Sequence, residues 1–227
     1  MKRVGIIQAR LGSTRLPLKM LLSLHGKPII EWVVTRVRQS KLLDEIVVAI
    51  PNTKENNTLA KYLQKLNVKV HRGSENDVLS RFYKVAKEYN ATHIIRICAD
   101  NPLIDGEEID NLIKFYEKEQ PDYAYNHIPK NNNYPDGIGA EMVSFELFEK
   151  IHNDAKEQGH REHCLSYITD NYDKFNIKTF DPLDNLLCYP ELKFDVDTFS
   201  DYEKLAMKDI KININSKELI ALFLEKK

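Results

Sequence analysis

Ile46 to Ile50 is an unbroken apolar run closed by Pro51-Asn52, and runs of this kind alternate along the chain with longer segments whose apolar residues recur at helical spacing. Alternation of that sort builds strands separated by helices, in a mostly parallel mixed sheet flanked by helices. Val4 to Ile7 reads as the first strand. A glycine-containing loop over residues 9 to 18 follows it, and Ile29 to Val37 forms a helix after Pro28. A helix from Thr58 to Leu66, a strand from Val68 to His71, a helix from Val78 to Tyr89 and a strand from His93 to Ile97 continue the pattern. Beyond Cys98-Ala99-Asp100-Asn101-Pro102, the reading gives a helix at Ile109 to Lys118 and strands at Asp122 to Asn126 and Glu141 to Ser144. Helices follow at Phe145 to Ile151 and Glu162 to Asn171, then strands at Phe175 to Phe180 and Lys193 to Val196. From Ser200 the chain is amphipathic, with a last helix over Ser216 to Leu224.

No repeat and no Pro-, Gly- or Ser-rich linker divides the 227 residues, a length that one α/β core can fill, so a single domain over residues 1–227 is expected. Lys and Arg number 33 against 34 Asp and Glu, which leaves nothing in the overall balance to attract a nucleic acid or an anionic membrane. Phosphate binding has to be local. Cys98, Cys164 and Cys188 lack CxxC spacing, which argues against a disulfide framework or a thiol zinc site and fits a reducing cytoplasm. The N-terminal apolar stretch is broken at Gln8 and Arg10, too early for a signal peptide, and no segment approaches the length of a membrane span.

In open α/β sheets, ligands collect at the C-terminal ends of strands. Three segments share that address: the Gly12 loop, Asp100 and Asp197. The loop Gln8-Ala9-Arg10-Leu11-Gly12-Ser13-Thr14-Arg15-Leu16-Pro17-Leu18-Lys19 offers small residues, backbone N–H donors and three cations. Such a loop suits a triphosphate, with successive N–H groups forming an anion nest and Arg15 and Lys19 neutralising charge. It is neither a Walker loop nor GxGxxG. A basic surface loop is the alternative.

Asp100 and Asp197 are short carboxylates suited to Mg²⁺, which keeps several waters and bridges phosphate oxygens. For each, an Asx turn or a helix N-cap competes with that role. Asp195 rivals Asp197, because alternation puts both on one strand face. Arg72-Gly73-Ser74-Glu75-Asn76-Asp77 could hydrogen-bond a base edge or ribose, or be a turn feeding an N-cap. Tyr134-Pro135-Asp136-Gly137 is a turn by composition, with Glu141 beyond it as an acceptor contact. His160-Arg161-Glu162-His163 lacks HExxH spacing, so substrate contacts are preferred there over zinc.

The segments IIQARLGSTRLPLKML, GKPIIEWVV, GSENDVLSRF, ICADNPLID, YPDGIGAEMVS, REHCLSYI and FDVDTFSDYE, in this order from residue 4 to about 203, resemble the spore-coat polysaccharide branch of the cytidylyltransferases. That branch is related to the CMP-sialic acid and CMP-Kdo synthetases. The resemblance implies a Rossmann-like nucleotidyltransferase fold, CTP as donor, and Mg²⁺ on Asp100 and Asp197. Arg10, Arg15 and Lys19 would line the triphosphate within the nucleotide-binding stretch Gln8 to Thr14. Arg72, Ser74 and Asn76 would lie near the cytosine, Ala99 beside the nucleotide, and Asp136, Glu141, Arg161, Glu162 and His163 near the acceptor. A homodimer is implied as well. The chain departs from the sialate and Kdo enzymes in its QAR start, and Gly139 stands where relatives of this branch often carry Asp.

The reaction so implied is attack of a sugar hydroxyl or a phosphate oxygen on the α-phosphorus of CTP, with Arg15, Lys19 and Asp100 at the reacting centre. Two other readings are a glycosyltransferase using Asp195-Val196-Asp197 as a metal-holding Asp-x-Asp, and a nucleotide-binding protein without turnover.

Overall fold

The structure is a computed structural model that describes residues 1–225. Strand β1 (Arg3–Gln8) lies at the centre of a seven-stranded sheet. After a loop and a short 3-10 turn (Lys19–Leu21), the chain makes a small hairpin of β2 (Ser23–Leu24) and β3 (Lys27–Pro28). The sequence reading passed over that hairpin. Its two-residue turn has positive φ at both His25 (48°) and Gly26 (80°), the backbone that a tight hairpin requires.

There follow α1 (Ile29–Val37), β4 (Glu45–Pro51), α2 (Asn57–Lys65), β5 (Lys69–Gly73), α3 (Val78–Glu88) and β6 (His93–Cys98). Then come α4 (Gly106–Glu119), β7 (Tyr123–Tyr125), β8 (Glu141–Ser144), α5 (Phe145–Asp154), α6 (Gln158–Glu162), α7 (Ser166–Asp170) and β9 (Ile177–Thr179). Helices α8 (Phe199–Ala206) and α9 (Ser216–Leu224) close the chain. The sheet order is β5-β4-β1-β6-β8-β7-β9. Pairs β5-β4, β4-β1, β1-β6 and β7-β9 are parallel, while β8 runs antiparallel to both β6 and β7.

Side-chain alternation sends Val4 and Ile6 to one face and Ile7 to the other, each fully buried. On the Val4 face the core is completed by Phe82, Val85, Phe148 and Ile168 of α3, α5 and α7. On the Ile7 face it is completed by Trp32, Val33, Leu59, Leu112 and Leu219 of α1, α2, α4 and α9. With both faces covered, the parallel strands read as nearly continuous apolar runs, which is why they were visible in the sequence.

Two expected elements differ. Lys193 to Val196 is not a strand: it is an extended segment held by a single bridge between Lys193 and Asp136, with Phe194 N–H donating to Asp136 O (2.9 Å) and Val196 N–H to Asp100 O (2.8 Å). Its neighbours are loops, and loops offer no ladder to extend. Glu162 to Asn171 is likewise not one helix, because the chain breaks at His163 to Leu165 between α6 and α7, where Cys164 and Leu165 turn into the core.

No helix among the described residues is long and apolar enough to cross a membrane.

Candidate active site

Strands β4 and β5 lie on one side of β1, and β6 lies on the other, so the direction of winding reverses between β1 and β6. That reversal opens a crevice at the C-terminal ends of the two strands. Their last residues, Gln8 and Cys98, are register partners, and Ala99 N–H donates to Gln8 O at 3.1 Å. A cavity of about 280 Å³ opens above them. It gathers Gln8, Ala9, Arg10, Ser13, Thr14, Arg15, Lys19, Ala99, Asp100, His163 and Asp197 from the residues singled out in the sequence, and adds Met20, Arg96 and Cys98.

The loop after β1 is pinned at Leu11. Its side chain is 2% exposed in the core, its N–H donates to Asn56 Oδ1 (3.0 Å), and its carbonyl accepts from Ser13 N–H (2.8 Å). Leu11 therefore serves through its backbone alone. Among the described residues, the N–H groups of Gly12, Thr14 and Arg15 have no protein acceptor, which leaves them free to bond an anion, as a nest requires. Gly12 has no left-handed φ, and a Cβ there would meet only the carboxylate oxygens of Glu55 and Glu75 at 3.7 to 3.9 Å. Neither backbone strain nor crowding demands glycine at this position; a bare backbone still lets an anion come close.

Leu18 takes left-handed φ (57°) and starts the 3-10 turn that directs Lys19 inward. Only 7% exposed, Lys19 donates from Nζ to Val196 O (2.6 Å) and Asp197 Oδ1 (3.3 Å) and lies 3.5 Å from Asp100 Oδ2. Arg15 Nη2 reaches Asp197 Oδ2 at 3.1 Å. Two aspartates distant in sequence thus share one ammonium. Asp197 does not cap α8, since Thr198 is the N-cap, in a reciprocal box with Asp201. Asp195 pairs with Lys193 (3.2 Å) and is not a wall of the cavity, whereas Asp197 is.

The oxygen donors of Asp100 and Asp197 fit a hard divalent cation such as Mg²⁺. Among the described residues, no three His, Cys, Asp or Glu side chains converge to hold a metal by themselves. The remaining ligands would be phosphate oxygens and water, as is usual for this ion.

Beneath the cavity lies a buried polar layer. Arg96 donates through Nε to Gln8 Oε1 (3.3 Å) and through Nη1 to Glu141 Oε2, while Tyr123 OH donates to Glu141 Oε1 (2.6 Å). His127 Nε2 is 3.8 Å from the same carboxylate. Burial pushes the Glu141 pKa up, but Arg96 and His127 outweigh it and hold the group below its ordinary value. Glu141, 4% exposed, is therefore not a cavity wall and stands behind Arg96.

The other residues expected near an acceptor are spread out. Arg161 is committed to Asp77 (2.6 Å) and the carbonyls of His152 and Ala155. Glu162 is half-buried outside the cavity walls, whereas His163 is exposed at them. Asp136 is half-buried near the aspartate cluster, its pKa pushed up to about 6 by burial first and then by Asp195, with smaller contributions from Asp100 and Asp197. Gly139 packs so closely on Asn126 that a Cβ would fall 2.2 Å from its carbonyl oxygen, which leaves no room here for the aspartate of relatives.

Of the residues expected near the cytosine, Arg72 is not a wall of the cavity: its Nη2 donates to Thr53 O (2.8 Å), and its Nε is buried without a partner. Gly73 is required because a Cβ would lie 2.9 Å from Arg81 Cγ. Ser74 Oγ accepts from Asp77 N–H (3.1 Å) and Asp77 caps α3, so Ser74 to Asp77 also forms the turn into an N-cap. Ser74 and Asn76 are exposed and not among the cavity walls.

Over residues 4–222 the chain matches the cytidylyltransferase family. An uncharacterised protein of Methanocaldococcus jannaschii is 38% identical over 230 residues, covering 100% of this chain and 91% of that protein. The spore coat polysaccharide biosynthesis protein SpsF of Bacillus subtilis is 34% identical over 205 residues, covering 88% of this chain and 83% of that one. The solved structure of a cytidylyltransferase from Leptospira borgpetersenii superposes with a TM-score of 0.88 at 28% identity, over 98% of this chain and 94% of that one. Since the family match takes in the β1 loop together with the Asp100 and Asp197 segments, the chain belongs to the cytidylyltransferase family and is a nucleotidyltransferase.

Proposed function

We propose that this enzyme transfers CMP from CTP to a small sugar-like acceptor, a sugar acid or sugar phosphate, with Mg²⁺ as cofactor and release of pyrophosphate. The observation that carries the reading is the Lys19 ammonium, held between Asp100 and Asp197 at the mouth of a loop with free N–H groups. An acceptor oxygen forms a bond to the α-phosphorus while the bond from that phosphorus to pyrophosphate breaks. A hydroxyl acceptor gives up its proton to water; an ionised phosphate acceptor has none to give.

Positioning and charge neutralisation dominate such transfers, so the β1 loop and its cations carry the main catalytic load. Arg15 and Lys19 face the phosphates, and Arg72 faces the base. His163 at the cavity wall and Asp136 close by serve the acceptor side. When bound, Mg²⁺ on Asp100 and Asp197 would supply charge neutralisation on the phosphate oxygens. The likeness to SpsF supports a role in surface polysaccharide or glycoconjugate synthesis. We take the whole chain to act as one domain, as a homodimer, in the cytoplasm.

The test is pyrophosphate release with Mg²⁺, using CTP, UTP, GTP and ATP separately against keto-sugar acids, sugar phosphates and small phosphorylated acids. Acceptor-dependent release with CTP alone is the expected result. Release that prefers another nucleotide would overturn the donor assignment, and release without any acceptor would mark hydrolysis instead.

A further inference from the structure

Asn56 precedes α2 at its N-cap position, where an asparagine ordinarily caps its own helix. Here it makes no such bond. The side chain turns away and is fully buried. Its Oδ1 accepts from Leu11 N–H (3.0 Å), 45 residues away in the β1 loop, and its Nδ2 donates to Thr53 Oγ1 (2.8 Å). The carbonyl of the same Thr53 accepts from Arg72 Nη2 (2.8 Å). One short loop between β4 and α2 thereby grips the β1 loop with one residue and Arg72 with another.

We propose that Asn56 is a positioning residue for the nucleotide, clamping the β1 loop so that its free N–H groups face the triphosphate, and coupling that loop through Thr53 to Arg72. The inference rests on the CTP-dependent reading above. Leu11 N–H is the one loop donor committed to a side chain at depth, and its carbonyl in turn holds Ser13 N–H, so the direction of the Gly12, Thr14 and Arg15 N–H groups follows from where Leu11 is fixed. Without Asn56, a buried N–H loses its partner and the loop must rearrange to satisfy it. The loss falls first on the loop that would carry the phosphates, while Arg72 keeps its bond to the Thr53 carbonyl.

The experiment compares CTP and CMP binding by calorimetry in wild type, Asn56→Ala, Asn56→Asp and Thr53→Val, with melting temperatures measured alongside. The clamp predicts that Asn56→Ala weakens CTP about 10-fold or more while CMP weakens only a few-fold, collapsing the wild-type preference for the triphosphate. Asn56→Asp keeps an oxygen for Leu11 N–H and should restore most of that preference. Thr53→Val removes the hydroxyl that orients Asn56 and should fall between. A merely structural role lowers the melting temperature and weakens both nucleotides in parallel, which would overturn the proposal, as would unchanged CTP affinity in a folded Asn56→Ala. Wild type that binds no CTP would overturn the donor reading itself.

Discussion

Lys19 Nζ and Asp197 Oδ1 lie 3.3 Å apart across 178 residues of sequence, inside a site where the same ammonium also reaches Val196 O and Asp100. Lys19 thus joins the loop after β1 to the segments that follow β6 and Phe194. Lys19→Ala should lower turnover by about 100-fold or more, as expected for removal of a preorganised charge at a phosphoryl centre. Steady-state pyrophosphate release checks this, and turnover within a few-fold of wild type would remove Lys19 from the chemistry.

Chelation with EDTA should abolish pyrophosphate release while leaving far-UV circular dichroism unchanged, because Lys19 partners both Asp100 and Asp197 and offsets their charge without help from an ion. Asp100→Asn should raise the Mg²⁺ concentration for half-maximal rate by about 10-fold or more, since it removes one of the two anionic oxygen ligands proposed for the ion. A metal titration that superposes on wild type would assign the ion elsewhere.

Asp136 carries a sign that pH can read. Burial and neighbouring aspartates raise its folded pKa to about 6, above its unfolded value of about 4. Its favourable contribution is therefore complete below pH ~4 and lost as pH rises through ~6. In metal-free buffer, Asp136→Asn should melt higher than wild type at pH 8, and that gain should vanish towards pH 4. A constant difference across the range would mean that neither burial nor the neighbouring aspartates hold its pKa up.

Glu141 carries the opposite sign. Its folded pKa is held low, so its stabilisation is present above the unfolded value of about 4.3 and fades as the solution is acidified below it. Glu141→Ala leaves the largely buried Arg96, which still holds Gln8, without its carboxylate partner and should cost about 3 kcal/mol, the low end for a broken buried pair. Glu141→Gln, which retains a carbonyl oxygen for either Arg96 or Tyr123 but not for both, should cost less. Urea denaturation separates the two variants, and a loss below about 1 kcal/mol for alanine would mean that Arg96 finds another acceptor.

Much of this was legible from residue order. The runs at Val4 to Ile7, Ile46 to Ile50 and His93 to Ile97 are buried on both faces, and that burial is what makes them continuous. Lys193 to Val196 looked similar, with Phe194 and Val196 both fully buried, yet it lies against loops and forms no ladder. The loop cations and the two aspartates stood out by charge and by their place after apolar segments. Arg96 had a weaker signal, a cation between Ile95 and Ile97 in a strand. Asn56 had none, since PNTKENN reads as an exposed turn and only its partner at Leu11 reveals its role.

Residue order by itself determined the alternation of elements and the chemical kinds that meet phosphate, because periodicity and charge are local properties of the chain. What tertiary structure decided was pairing: that Asp100 and Asp197 share Lys19 while Asp195 takes Lys193, that Glu141 stands behind Arg96 instead of facing the cavity, and that Asn56 abandons its helix for Leu11. These choices depend on distances between residues tens to nearly two hundred positions apart, and such distances are set by how the sheet winds in opposite directions on either side of β1.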